Sequence, residues 1–230
     1  MTTTLITGAN KGLGKETARQ LLDAGHTVWL GARDETRGRA AADELGARFV
    51  QLDVTDDASV ATALARIGAV GGLDVVVNNA GIAKLGLDGP EALEVFDTNA
   101  VSIVRVTQAA LPLLRRSANP VVVNVSSALG SFTANHDRAR PASEVAAIVY
   151  GASKAAVSML TVQYARAVPE VKFNAVEPGY TSTDLGGQPH PHPGARPVEV
   201  SARNIARLAM IGADGPTGTF EEDDGAPLGW

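Results

Sequence analysis

Tyr150 and Lys154 stand four residues apart in "VYGASKAAVSMLTVQYARA" (149–167), a stretch that patterns as a helix. That spacing sends both side chains out of one helical face, about 6 Å apart along the axis. A phenol with a pKa near 10 is a poor proton shuttle at neutral pH, and a neighbouring ammonium favours its ionised form by about 1.4 kcal/mol for each unit of depression. The bland alternative is an ordinary i,i+4 surface pair. A second cluster bears on the choice: "TGANKGLGKE" (7–16) sets Gly8, Gly12 and Gly14 directly behind the first apolar run. A triphosphate loop has four residues between its first glycine and a Gly-Lys pair followed by Ser or Thr. Here Gly8 to Gly14 encloses five, and Lys15 is followed by Glu16. Two readings remain: a glycine turn that lets a dinucleotide pyrophosphate approach a helix N-terminus, or a plain tight turn from strand to helix.

Both clusters need elements that bring them together. "TTLITG", "HTVWLGA", "RFVQLDV", "LDVVVNN", "NPVVVNVSS" and "VKFNAVEP" read as strands, each separated from the next by a stretch long enough for a helix. Their apolar residues are consecutive rather than alternating, as parallel strands covered on both faces require. The expected fold is α/β: a Rossmann-type doubly wound parallel sheet of about seven strands with helices on both faces. Helices are expected near 15–24, 35–46, 57–68, 91–116, 144–168 and 198–211, with Pro169 ending the fifth. Two stretches, 128–143 and the Gly-, Pro- and His-rich 185–197, read as irregular excursions of the kind that carry function.

Thr7-Gly8-x-x-x-Gly12-x-Gly14, "NNAG" at 78–81, "NVSS" at 124–127, Tyr150-x-x-x-Lys154 and "PGYTST" at 178–183 follow one another over nearly the whole chain. In that order they resemble the short-chain dehydrogenase/reductase family. "TGANKGLG", "ARDETRG" at 32–38 and the tail "GTFEEDDGAPLGW" are similar to its carbonyl-reductase-like members. The resemblance implies one dinucleotide-binding and catalytic domain over residues 1–230, moving a hydride between nicotinamide and a small-molecule carbonyl or secondary alcohol. It implies a tetrad of Asn99, Ser127, Tyr150 and Lys154. Tyr150 is the general acid/base, Ser127 bonds the substrate oxygen, and Asn99 in "FDTNAV" holds a water in a relay through Lys154. Lys154 also reaches the nicotinamide ribose.

For the cofactor the resemblance implies Gly8, Asn10, Lys11, Gly12, Leu13 and Gly14 at the pyrophosphate, and Asp53 and Val54 at the adenine. Asn79, Ala80 and Gly81 lie along the ribose and nicotinamide side, with Tyr150 and Lys154, and Pro178, Gly179, Thr181 and Thr183 near the carboxamide. Without the family, Asp53 reads as an acid at a helix N-terminus and Asn99 as a satisfied polar residue within a helix. Ser126, on the opposite face from Ser127 by strand alternation, reads as structural. One departure stands out: the stretch between Ser127 and Tyr150 is longer than usual in the family. Its 128–143 insert is expected beside the substrate mouth, crowding the surface through which family members pair the helices near 91–116 and 144–168. A monomer or homodimer is therefore expected.

The cofactor's second phosphate is read from "LGARDETRG". An NAD site places Asp or Glu at the tip of the second strand, where it accepts from both ribose hydroxyls. Here Ala32 and Arg33 occupy that tip, Arg37 follows one helical turn later, and Lys11 reaches across from the glycine loop. Three converging cations fit a 2′-phosphate, so NADP(H) is expected. Asp34 is read as the cap of a helix starting at Glu35.

Composition narrows the rest. A net charge of −5, a pI near 5.4 and the lack of a long basic run argue against nucleic acid as a partner. No apolar stretch approaches a membrane span, and "MTTTLITG" lacks the layout of a signal peptide, giving a cytoplasmic expectation. Zero cysteines exclude disulfides and thiolate sites. His190 and His192 sit among prolines in "QPHPHPGARP", which reads as a surface loop, and no metal is expected. The alternative function is a non-catalytic dinucleotide-sensing regulatory protein on the same fold. Such a sensor has no need of a complete tetrad.

Overall fold

A computed structural model describes residues 1–84, 88–185 and 194–230. The first half alternates β1 (Thr3–Thr7), α1 (Gly12–Asp23), β2 (Thr27–Ala32), α2 (Glu35–Leu45), β3 (Arg48–Gln51) and α3 (Asp57–Val70). The second runs β4 (Val75–Asn78), α4 (Gly89–Phe96), α5 (Ser102–Leu114), β5 (Val121–Val125), α6 (Phe132–His136), α7 (Ile148–Ala167), β6 (Lys172–Val176), α8 (Val198–Ala209) and β7 (Thr219–Glu221). The strands form one seven-stranded sheet in the order β3-β2-β1-β4-β5-β6-β7, and every pairing is parallel. The winding reverses between β1 and β4, which opens a crevice at their carboxyl ends.

The valine runs explain why the sheet is central. Val75, Val76 and Val77 of β4 and Val121, Val122 and Val123 of β5 are almost fully buried. Successive residues face opposite sides. Leu5 and Val76 join the core under α3, α5 and α7, while Ile6, Val75 and Val77 join the core under α1, α2 and α8. Each such side chain contributes about 1.5–3 kcal/mol by leaving water, so residues without alternation are needed for two-faced burial. A buried polar chain fixes how the layers sit: Asn78 Nδ2 donates to Asn124 Oδ1 at 2.8 Å, and Asn124 Nδ2 donates to Thr161 Oγ1 at 2.9 Å.

Three elements differ from the sequence expectation. The helix expected over 91–116 is broken into α4 and α5 by a π-helical turn at Asp97–Val101. The expected irregular stretch 128–143 folds as short turns: a 3-10 turn at Ala128–Gly130, then α6, then a 3-10 turn at Pro141–Glu144. Ser127 and Ser131 cap the first two with their side chains. Ala134 and Ala142 of this stretch pack with Ala175, Phe220 and Leu228, so the insert rests on the chain's last residues. Ser131 Oγ donates to Gly229 O at 2.5 Å, and Thr133 N to Trp230 O at 3.2 Å. The third difference is β7, a three-residue strand outside the six apolar runs. It is held by Phe220, stacked on Trp230 with centroids 5.3 Å apart, and by ion pairs of Glu221 with Arg207, Glu222 with Arg140, and Asp223 with Arg196.

Candidate active site

The glycine turn is built by steric necessity. Gly8 has φ +63, and a Cβ there would lie 2.9 Å from Ala80 Cα. Gly14 admits no Cβ either, since one would sit 2.4 Å from Asn79 Nδ2 and 3.0 Å from Ala9 Cα. The "NNAG" turn thus lies directly on the glycine turn. Thr7 Oγ1 accepts from Asn79 N at 3.1 Å and Ala80 N at 3.0 Å, and Asn79 Nδ2 donates to Thr7 O at 2.9 Å. Gly14→Ala should therefore cost about 1–3 kcal/mol by overpacking and displacing the Asn79 amide. A denaturation midpoint unchanged from wild type would show that the turn tolerates the methyl group.

The start of α1 differs chemically from its neighbours. Asp34 caps α2 and Asp56 caps α3 with side-chain carboxylates, whereas Lys11, at the same position of α1, makes no side-chain cap. The first-turn N–H groups of α1 carry the partial positive charge of a helix start. An open cleft of about 440 Å³ lies there, lined by Lys11, Gly12, Ser182, Thr183 and Asp184. "PGYTST" closes over it: Thr183 Cγ2 stands 3.4 Å from where a Gly12 Cβ would be, and Thr181 Oγ1 donates to Ser201 Oγ at 2.8 Å. Asn10 and Leu13 are half-buried on the same turn, and Pro178 and Gly179 (φ +78) make the bend that returns the chain toward it.

Asp53 does not cap α3. Its Oδ1 accepts from Thr55 N at 3.0 Å and Thr55 Oγ1 at 2.7 Å. Burial pushes this carboxyl up, but the two Thr55 bonds and the charges of Arg33 and Arg105 outweigh it, leaving Asp53 below the ordinary range. The neighbouring Val54 carbonyl accepts from Arg105 Nη1 at 3.3 Å, and Arg105 also binds Asp97 at 2.6 Å. Arg105 was not singled out in the sequence, where it is one charge on a helix.

At the second-strand tip two of the three expected cations carry acidic partners. Lys11 is ion-paired with Asp184, and Arg37 Nε donates to Asp34 Oδ2 at 2.8 Å. Among the ion pairs of the described residues, Arg33 has none, so it supplies the net positive charge of the tip. The exposed Lys11 and Arg37 pairs are screened by solvent and hold their partners weakly.

The catalytic candidates meet at the carboxyl ends of β4, β5 and β6. Ser127 follows β5, and its hydroxyl is within hydrogen-bonding reach of the Tyr150 phenol on α7. Lys154 Nζ lies 5.7 Å from the Tyr150 ring centroid and donates to Val125 O at 2.8 Å. Ser126 is structural, as alternation requires, and buried between Lys154 O at 3.1 Å and Ser158 Oγ at 3.0 Å. Asn99 sits in the π turn with its amide committed: Oδ1 accepts from Ile82 N at 2.8 Å, and Nδ2 donates to Ile82 O at 2.9 Å and Ser153 Oγ at 3.0 Å. A Cβ at Gly81 would lie 3.3 Å from Asn99 Oδ1 and 3.6 Å from Lys154 Nζ, so all three residues share one corner.

In the ligand-free chain burial, rather than the Lys154 charge, is the largest effect on the phenol. Burial pushes Tyr150 up to about 12, the Ser127 hydroxyl opposes this, and the Glu177 carboxylate adds to it. Burial also holds Lys154, only 5% exposed, down at about 8. Burial penalises the charged form of each group, although Tyr150 itself stays partly exposed. The lysine shift has a sign that can be measured. Between about 8 and 10.5 the unfolded chain keeps a proton that the native lysine has lost, so stability rises with pH across that window and the cost is fully present below it. Ligand-free wild type should gain on the order of 1–3 kcal/mol relative to Lys154→Met over that window. Parallel stability curves for the two proteins would count against a strained lysine.

Residues 2–192 match the family model for short chain dehydrogenase. This chain belongs to the short-chain dehydrogenase family. It is 34% identical to short-chain dehydrogenase/reductase ATR10 of Stachybotrys chlorohalonatus, over 96% of this chain and 88% of that one. It is 30% identical to (-)-isopiperitenone reductase of Mentha piperita, over 96% of each. Among solved structures it is similar to NADPH-bound carbonyl reductase from chicken fatty liver, with TM-score 0.86 and 28% identity over 99% of this chain and 98% of that one. As a short-chain dehydrogenase, an oxidoreductase family, it has the seven-stranded sheet its relatives lead one to expect. Among its described residues no helix is long and apolar enough to cross a membrane, and no group of three His, Cys, Asp or Glu could hold a metal. His190 and His192 lie outside the described residues.

Proposed function

We propose that this chain is an NADP(H)-dependent reductase or dehydrogenase acting on a carbonyl or secondary alcohol, with residues 1–230 working as one dinucleotide-binding and catalytic domain, as a monomer or homodimer. One observation carries the reading: the Ser127 hydroxyl, the Tyr150 phenol and the Lys154 ammonium converge beside a helix start that has no side-chain cap. The residues present fit a dinucleotide. Gly8, Gly12 and Gly14 leave the backbone accessible where a Cβ would fill the turn, and the first N–H groups of α1 suit a pyrophosphate. Asn10, Lys11 and Leu13 belong to that turn, Asp53 and Val54 would border the adenine, and Asn79, Ala80 and Gly81 the nicotinamide ribose. Pro178, Gly179, Thr181 and Thr183 would meet the carboxamide. The NADPH-bound carbonyl reductase supports the choice of cofactor.

Bound nicotinamide supplies or accepts the hydride. The chain's residues handle the oxygen and the proton. In reduction, Ser127 donates a hydrogen bond to the carbonyl oxygen and Tyr150 gives that oxygen its phenolic proton as negative charge develops there. A phenol pushed up to about 12 is protonated at neutral pH, which suits the donor role. Lys154 stabilises the phenolate left behind, its ammonium held in place by Val125 O. The Asn99 amide keeps the Gly81 turn against Lys154 through Ile82 and Ser153, so any water relay at this position must use another atom of Asn99. Oxidation of NADPH in the presence of a panel of carbonyl compounds is the direct test, and binding without turnover of any of them would favour a dinucleotide sensor.

A further inference from the structure

Arg105, near the start of α5, has no part in the reading above, yet its guanidinium is gripped from three segments. Nη2 pairs with Asp97 Oδ1 at 2.6 Å, Nε with Asp57 Oδ1 at 3.1 Å, and Nη1 donates to Val54 O at 3.3 Å. The side chain is only 19% exposed, so these bonds are less screened than the surface pairs of Lys11 and Arg37. The Val54 carbonyl belongs to the same planar peptide as the Thr55 N–H, and that N–H donates to Asp53 Oδ1 at 3.0 Å. Arg105 thus holds one end of a rigid unit whose other end holds the Asp53 carboxylate. Thr55 Oγ1 gives the same Asp53 oxygen a second bond at 2.7 Å. Among the described residues no hydrogen bond reaches Oδ2, which is left to accept from a ligand. The backbone of Asp53 is fixed as well: its N–H donates to Ser59 Oγ at 2.9 Å, and its carbonyl accepts from Asp56 N at 3.2 Å.

We propose that Arg105 is a positioning residue for the cofactor's adenine: through the Val54–Thr55 peptide it aims the Asp53 carboxylate so that Oδ2 accepts from the exocyclic amino group of the base. This rests on the proposed placement of Asp53 at the adenine. The planar guanidinium presents separate N–H groups to its three acceptors in fixed directions, which the single ammonium of a lysine cannot do from one place. Its far end is anchored on Asp97, in the π turn that carries Asn99, so the peptide is held against a packed element and not against a loop. The charge of Arg105 also helps to keep Asp53 ionised. An ionised carboxylate only accepts, so it selects a base with a donor at that position. A base with a carbonyl oxygen there would set one acceptor against another and leave both without a hydrogen bond.

The test is equilibrium binding, by calorimetry on full chains, of NADP+ and of its deamino analogue, in which hypoxanthine replaces adenine and a carbonyl oxygen replaces the amino group. Wild type should favour NADP+ by about tenfold or more, and Asp53→Ala marks the preference that remains without a carboxylate. Arg105→Met and Arg105→Gln should each lower the wild-type ratio by roughly 3- to 10-fold, toward that of Asp53→Ala, with Arg105→Lys between them and wild type. A role confined to stability would weaken both dinucleotides alike and leave the ratio where it was. A wild-type ratio in Arg105→Met or in Arg105→Gln overturns the proposal, so either variant decides it if the other fails to fold. A wild type with no preference between the two dinucleotides overturns it as well. The two readings fail separately, because binding is measured without turnover. Loss of the ratio in a protein that reduces no carbonyl compound sinks the proposed reaction and leaves this inference standing, whereas turnover with an unchanged ratio sinks this inference alone.

Discussion

Tyr150→Phe should lower kcat by roughly 10²–10⁴ and leave the affinity for NADPH within a few-fold of wild type. The substitution removes the phenolic hydroxyl, and with it the proton beside the Ser127 hydroxyl. It leaves the ring beside Lys154, so the helix face keeps its shape and the ammonium keeps its bond to Val125 O. The fold should be little affected, because phenylalanine keeps the ring of a partly exposed residue and removes one hydroxyl. Equilibrium binding and single-turnover rates measured separately would resolve the two effects. Retention of more than about a tenth of the wild-type kcat would fall outside the range for general acid catalysis and refute the assigned mechanism.

The parts of this protein legible in the sequence are those where one physical constraint dominates. Two-faced burial demands consecutive valines, so β4 and β5 could be read from "DVVVNN" and "PVVVNV", and their carboxyl ends then fixed where Ser127 had to be. The glycine turn was legible because Gly8 and Gly14 leave no room for a Cβ. What stayed hidden depends on partners far away in the chain. The π turn adds no residue type that a helix lacks, and the Asn99 amide within it is anchored to Ile82 and Ser153 at a distance no period reveals. The short β7 is made by Phe220 finding Trp230 and by acids finding arginines from three other segments. The insert read as irregular because it is polar. Its Ser127 and Ser131 caps were visible signals, and the apolar bed under Ala134 and Ala142 was not.

Cofactor choice is where sequence and structure pull hardest on each other. The sequence offered three cations and one awkward acid, because Asp34 lies near the position from which an NAD-binding carboxylate would reach the ribose. In the structure both Asp34 oxygens are already used: Oδ1 accepts from Arg37 N at 2.9 Å and Oδ2 from Arg37 Nε at 2.8 Å. Hydrogen bonds from the Arg37 backbone and side chain hold this acid below the usual carboxylate range, so it is an ionised helix cap. That favours a capping role for Asp34 over a ribose contact, but it also pairs Arg37 with Asp34 and leaves Lys11 facing Asp184. In the proposed NADP(H) reading Arg33 would be the principal phosphate ligand, just after β2, with Asp53 near enough to feel its charge. The expected result is a clear preference of the wild type for NADPH in kcat/KM. Arg33→Ala should lose 1–3 kcal/mol with NADPH, roughly 5- to 150-fold, and almost nothing with NADH. Arg37→Ala should cost less than Arg33→Ala, because its loss also frees Asp34 and unsettles the start of α2 without removing the main contact. Equal or better use of NADH by the wild type overturns the NADP(H) assignment, and an Arg37 effect larger than that of Arg33 would mean that the Asp34 pair opens to let Arg37 grip the phosphate.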